Sequence, residues 1–217
     1  AFMKETIKIP FGVYYQEQFS KPMRRKQDVV SFILGVVNVL LVGESGCDSS
    51  GILYLKRNKM NRVFCFMEGK YFSTVFPFDV EFDENGNFYK VYDSISDIRI
   101  NNRSVALLER MLEKIDFEES SIDEIIEEAY LDVEEDGYTD KDIDMCFGLI
   151  LRLLSMELGY IRYDYDPERE NGRLHPLYHV DINYSTKGTY KLGMNKKMET
   201  AEFIDMLDTK TDCRYVQ

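Results

Sequence analysis

The two histidines of the chain fall in one five-residue segment, His175-Pro176-Leu177-Tyr178-His179, and Asp181 follows two residues later. Just upstream lies an Arg-x-Asp-x-Asp run, Arg162, Asp164 and Asp166. Successive side chains of a strand point to opposite faces. His179, Asp181 and Asn183 would therefore share one face, and Val180, Ile182 and Tyr184 the other. A strand carrying Arg162 and Asp164, and another carrying Lys191, would bring their charges onto the same patch, because neighbouring strands stand about 4.8 Å apart.

Arg162, Asp164, His175, His179, Asp181 and Lys191 suit three kinds of chemistry. The first is metal-independent phosphodiester cleavage, with a histidine as general acid or base and Arg162 and Lys191 stabilising charge on the phosphate. The second is metal binding by His175, His179 and Asp181, a two-histidine, one-carboxylate set. Pro176 excludes the ordinary helical His-x-x-x-His arrangement for that set. The third is a magnesium-type site built from Asp164, Asp181 and Lys191. A non-chemical reading stands beside them: Arg162 and Asp164 make a cross-strand ion pair with Asp181, and the histidines are ordinary, partly buried and bonded to backbone. The leading expectation is the nuclease-like one, with the six residues as its catalytic candidates. It calls for no cofactor, with a divalent metal as the open alternative.

The elements around these residues follow from period and punctuation. Ile161, Tyr163 and Tyr165 alternate with Arg162, Asp164 and Asp166; Tyr178, Val180, Ile182 and Tyr184 alternate with the second polar set; Tyr190, Leu192 and Met194 alternate with the third. With Ser185-Thr186-Lys187-Gly188 as a turn, the pattern predicts a three-stranded antiparallel meander. Asp166-Pro167 and Glu168 to Gly172 read as the preceding turn. A short helix, Thr200 to Leu207, packs Phe203, Ile204 and Leu207.

Upstream, Thr6 to Phe19 reads as extended. Ser20 is placed to cap a helix with Pro22 in its first turn, running into Val29 to Val42. Gly51 to about Tyr92 reads as a strand meander, with Asp83-Glu84-Asn85-Gly86 as a hairpin turn. Three helices follow. Ser104 caps the first, which carries Val105, Leu108, Met111 and Ile115. A Ser121/Glu124 capping box opens the second, with Ile122, Ile125, Ile126 and Ala129 behind it. Thr139 opens the third, which Gly159 is placed to end. Gly148 inside the third helix suggests close packing. The expected fold is α+β, antiparallel β meanders packed against a central group of helices, in a single domain over 1–217. Its β-rich part with one buried helix spans 1–100, its acidic helical middle 104–159, and its terminal meander and short helix 160–217.

Charge is concentrated in the middle. Residues 109–144 hold 16 acidic and 3 basic side chains, so this belt accounts for the net charge of −12 and the rest is near neutral. Such a belt keeps a protein soluble or docks a basic protein partner. It does not itself bind nucleic acid, whose phosphates need Lys and Arg; binding of nucleic acid elsewhere is left open. The alternative function is thus a non-catalytic, antitoxin- or inhibitor-like interaction protein. Cys47, Cys65, Cys146 and Cys213 are widely spaced and read as reduced thiols. Gly43-Glu44-Ser45-Gly46 lacks the Gly-Lys-Ser/Thr of a phosphate loop. Val29 to Val42, at 14 residues, falls short of the roughly 20 that span a bilayer. Without a signal-peptide pattern, the expected location is the cytoplasm, away from membranes.

The run Arg162-Tyr163-Asp164-Tyr165-Asp166-Pro167, with Asn171 to Tyr184 and Gly188 to Gly193, resembles a segment of an uncharacterised bacterial family of unknown function. The match extends to Phe203-Ile204-Asp205 and covers about the last 60 residues of the chain. Similar Arg-x-Asp and His-Pro-x-x-His segments occur in small bacterial proteins linked to toxin–antitoxin or phage-defence loci. The resemblance implies a toxin or defence setting and assigns no activity.

Overall fold

Apolar–polar alternation builds strands in this chain, and 3.6-residue periodicity builds the helices between them. The computed structural model describes residues 6–42, 49–57, 60–82, 88–114, 116, 119–131, 137–183 and 190–215. In chain order its elements are β1 (Thr6–Phe11), α1 (Val13–Ser20), α2 (Lys26–Val42), β2 (Gly51–Lys56), β3 (Arg62–Met67), β4 (Lys70–Val75), β5 (Asp79–Phe82), β6 (Phe88–Asp93), β7 (Ile98–Ile100), α3 (Asn102–Lys114), α4 (Ile122–Leu131), α5 (Asp140–Ser155), β8 (Ile161–Tyr165), β9 (Tyr178–Ile182), β10 (Tyr190–Met194) and α6 (Thr200–Asp205). The fold class is α+β. No helix among the described residues is long and apolar enough to cross a membrane.

The chain divides into two compact units. Ala1–Val29, Glu44–Phe76 and Glu157–Gln217 make the first, and Val30–Gly43 with Pro77–Met156 the second. The second unit holds the β5-β6-β7 sheet, α3, α4, α5 and most of α2. The first holds a seven-stranded antiparallel sheet in the order β1-β2-β3-β4-β8-β9-β10. The C-terminal meander is thus not a separate sheet. β8 pairs with β4, setting Phe72 opposite Arg162 and Lys70 opposite Asp164. The expected meander from Gly51 to Tyr92 is likewise split, with β2 to β4 in the large sheet and β5 and β6 in the small one.

Residues directly opposite in an antiparallel ladder share a face. One row crosses the large sheet as Ile9, Leu53, Cys65, Phe72, Arg162, Asp181 and Lys191. Its neighbour runs Phe11, Gly51, Met67, Lys70, Asp164, His179 and Gly193. A single face therefore passes from a buried apolar half on β1 to β4 to a charged half on β8 to β10. The opposite face is apolar across the junction: Phe64, Phe66, Ile161, Tyr163 and Val180 cluster with Met198 and Phe203 of the C-terminal segment. The Phe203 ring meets those of Phe64 and Phe66 edge-on at 6.1 and 6.3 Å. Tyr163 keeps its hydroxyl satisfied there by accepting from the Met198 N–H at 3.2 Å.

Several local expectations change. Residues 13–20 form α1 rather than strand; one side chain, Phe19, is fully buried there, so the segment shows no helical stripe to read. Ser20 ends α1 instead of capping α2, its hydroxyl donating to the Gln16 carbonyl. Asp28 satisfies the start of α2 by accepting from the Arg24 and Arg25 N–H groups at 2.8 Å each. Asn101, not Ser104, opens α3: it accepts from the Ser104 N–H, and Ser104 Oγ accepts from the Asn101 N–H. The boxes at Ser121/Glu124 and Thr139/Asp142 form. α5 stops at Ser155, and Gly159, with φ +54°, turns the chain toward β8 instead. Gly148 is exposed, with nothing among the described residues that a side chain would meet, so close packing does not explain it. The Gly43–Gly46 loop, Cys47, the Asp83–Gly86 and Ser185–Gly188 turns, Ile115, Tyr184 and part of the acidic belt over 109–144 lie outside the described residues.

Candidate functional site

The charged half of the large sheet is layered. At its floor, Arg162 on β8 donates from Nε to Asp164 Oδ2 and from Nη2 to Asp181 Oδ2, both at 2.6 Å. These are charge-assisted bonds at the short end of the normal range. The Asp181 side chain is 4% exposed and that of His179 only 2%. Tyr160, ahead of β8, sets its phenol in the field of the Arg162 charge. Burial opposes the charge on Arg162, but Asp164, Tyr160 and Asp181 outweigh it and hold the guanidinium pKa above its ordinary value. Burial pushes the Tyr160 phenol up to about 12, against the opposing pull of Arg162. Lys70, across from Asp164, has its pKa lowered by burial and by the Arg162 charge; it donates to the Ser20 carbonyl at 3.2 Å and lies over the Phe72 ring.

His179 fits into this floor with a defined tautomer. Its Nδ1 lies 3.0 Å from the Pro176 carbonyl oxygen. A carbonyl only accepts, so Nδ1 carries the proton. Nε2 then turns toward Asp164 Oδ2 at 3.6 Å, and Asp181 Oδ1 is buried with no hydrogen-bond partner. One nitrogen of His179, one oxygen of Asp164 and one of Asp181 lie within 4.8 Å of one another. In the expected metal set Asp164 accordingly takes the place given to His175.

His175 belongs to a second, more accessible layer. The loop between β8 and β9 folds back on itself, Asn171 N–H donating to the His175 carbonyl at 2.8 Å and Asp166 N–H to that of Leu177 at 3.0 Å. This fixes the ring with Nε2 at 3.1 Å from Asp166 Oδ2 and Nδ1 at 3.2 Å from Lys191 Nζ. An ammonium only donates, so Nδ1 accepts and the Nε2–H is given to Asp166. The two histidines thus adopt opposite tautomers while their rings meet edge-on at 4.7 Å. Partial burial alone would raise the Asp166 pKa; the bonds from His175 and from the Arg169 N–H, with the Arg169 charge, lower it.

All six expected residues therefore gather on one face, in two tiers: Arg162, Asp164, His179 and Asp181 below, His175 and Lys191 above. Asn183 leaves the pattern, for it lies past the end of β9 with φ +69°. Sequence reasoning missed Tyr160, Lys70 and the roles of Asp166 and the Pro176 carbonyl. Asp166 was visible as the third member of the Arg-x-Asp-x-Asp run. A carbonyl contact leaves no side-chain signal. The described cysteines take no part: burial keeps the Cys65 thiol pKa well above its ordinary value and pushes that of Cys146 to about 12, while Cys213 is exposed.

Gly193 is the close-approach point of the site. A Cβ there would stand 2.9 Å from Pro176 Cγ. Gly193→Ala should displace the proline whose carbonyl orients His179, at a cost of about 1–3 kcal/mol. The checks are the urea midpoint and loss of the hydrogen-bonded His179 Nδ1–H resonance; an unchanged resonance would show that Pro176 yields freely. Comparison with family models, with curated proteins and with solved structures returned no match, so the assignment rests on this geometry.

Proposed function

We propose that the upper tier is a nuclease-like, phosphodiester-cleaving site, in a protein of bacterial toxin or defence type. The observation that carries the reading is His175 held between a carboxylate and an ammonium, one on each ring nitrogen. Asp166 orients the ring, as the carboxylate of a catalytic dyad does. An incoming phosphate draws Lys191 onto its oxygens, which frees His175 Nδ1 to take the proton of the attacking ribose hydroxyl or water; as the phosphorus–oxygen bond to the leaving group breaks, the imidazolium returns that proton to the departing oxygen. Lys191 then offsets the charge that develops on phosphorus-bound oxygen. Local charge supports an anionic substrate despite the acidic chain: residues 160–197 hold 7 basic and 5 acidic side chains, and Arg173 is exposed in the His175 loop.

The test is cleavage of single-stranded RNA and DNA, with and without divalent cation. His175→Ala and Lys191→Met should each slow cleavage at least tenfold, with Asp166→Asn following His175→Ala. Long-range proton–nitrogen spectra of the two histidines should show the opposite tautomers. A wild-type protein that cleaves neither polymer under either condition would sink the reading. It would leave the interaction alternative, in which the exposed acids Glu127 and Glu128 of α4 meet a basic partner.

A further inference from the structure

The lower tier carries a second assignment, independent of whether the upper tier cleaves phosphodiesters. We infer that Asp164, His179 and Asp181 form a binding site for one divalent transition cation of the zinc or manganese type. Two acceptor atoms are left without donors in an almost closed space. His179 Nε2 is a lone pair, because Nδ1 spends the ring proton on the Pro176 carbonyl. Asp181 Oδ1 is buried without a partner, while its other oxygen is taken by Arg162. A buried carboxylate oxygen does not stay unsatisfied without cost, and the imidazole lone pair is a ready ligand on the same face.

A proton and a cation are the two ways to satisfy them, and geometry separates the two. A proton on Nε2 would sit 3.6 Å from Asp164 Oδ2, beyond hydrogen-bond range. It would also leave Asp181 Oδ1 as it is. One cation meets both groups at once. Two ligands about 2.1 Å from a tetrahedral ion are roughly 3.4 Å apart, close to the observed nitrogen–oxygen separation. The ligand atoms are confined within 4.8 Å of one another.

The surroundings are those of a supported metal site. The non-ligating nitrogen of His179 donates to a backbone carbonyl, which fixes the tautomer that ligands need. Arg162 holds Oδ2 of both carboxylates, so the pair is already oriented before an ion arrives. One imidazole and two carboxylates suit zinc or manganese better than a soft, thiolate-seeking ion. With Arg162 charged and His179 neutral, the tier carries −1, and a divalent ion takes it to +1. A water bound to such an ion would be acidified, which would offset that charge. Three protein ligands leave a position for such a water. Among the described residues, Lys70 and Lys191 also lie on this face; Lys70 donates to the Ser20 carbonyl, and Lys191 Nζ lies 3.2 Å from His175 Nδ1.

The full chain, stripped with a chelator, is dialysed against zinc and, separately, manganese, and its metal content is measured. About one tightly held equivalent is expected, with the His179 Nε2 resonance shifted by zinc. Asp181→Asn and Asp164→Asn should weaken retention at least tenfold, with circular dichroism checking that they fold. His175→Ala should retain the ion, which separates this site from the upper tier. Cobalt should give visible absorption typical of nitrogen and oxygen ligands. No retention by the wild type, retention equal in Asp181→Asn, or an unmoved His179 signal would each overturn the assignment. The wild-type results decide the matter even where a variant does not fold.

Discussion

Arg162→Met is expected to destabilise the first unit by about 3–5 kcal/mol, because it strands two carboxylates away from water. The arginine makes both of its 2.6 Å bonds inside the sheet, to Asp164 and to Asp181, whose side chains are 15% and 4% exposed. Methionine replaces much of the stem volume, so the loss reports charge and hydrogen bonding rather than a cavity. Adding Asp164→Asn and Asp181→Asn to Arg162→Met should recover part of the loss, since the amides carry no charge that needs a counterion. The chain has no tryptophan, so urea denaturation is followed by circular dichroism, with hydrogen exchange in β8 and β9 locating the effect. A loss below about 1 kcal/mol would mean that water reaches the carboxylates and that the tier behaves as surface ion pairs do.

The same cluster shows what alternation can and cannot reveal. Period-2 spacing placed Arg162, Asp164, His179, Asp181 and Lys191 on one face, since a strand leaves no choice about which side a residue takes. It could not reveal which strand lies next. The β4–β8 pairing joins segments about 85 residues apart, and nothing in either strand names its neighbour. That junction bears on burial: Phe72 and Lys70 stand opposite Arg162 and Asp164, and the charged face is partly a polar interior. The two-tier division was equally hidden. Pro176 sets His175 in the loop leading in and His179 on the strand, but nothing in the sequence shows that the loop folds back to hold His175 between Asp166 and Lys191. Three helix ends failed for a local reason: Ser20, Ser104 and Gly159 are good capping types, but Asp28 reaches back to the Arg24 and Arg25 N–H groups, and Asn101 and Met156 stand where their helices begin and end.

In the second unit, Arg152→Met is expected to cost about 3–5 kcal/mol, and more than Asp93→Asn. Asp93 ends β6 with its side chain fully buried, and Arg152 in the last turn of α5 pairs with its Oδ1. The other oxygen accepts from the Ser96 N–H at 3.0 Å. Without the arginine, the carboxylate would keep one backbone donor and no water, which is the costly way to break a buried pair. Asparagine at 93 keeps one acceptor oxygen for these two donors, so one bond is lost, but no buried charge is left unpaired and the arginine, 16% exposed, can place part of its charge in solvent. Arg152 also sits where the α5 carbonyls leave partial negative charge, so it keeps a favourable field when Asp93 is neutral. Urea denaturation of the two variants, with exchange protection in α5 and β6 as the local readout, tests this order. Equal losses would show that the pair acts as a neutral hydrogen bond would. A larger loss in Asp93→Asn would place the essential charge on the aspartate's contact with Ser96 instead of on the link between β6 and α5.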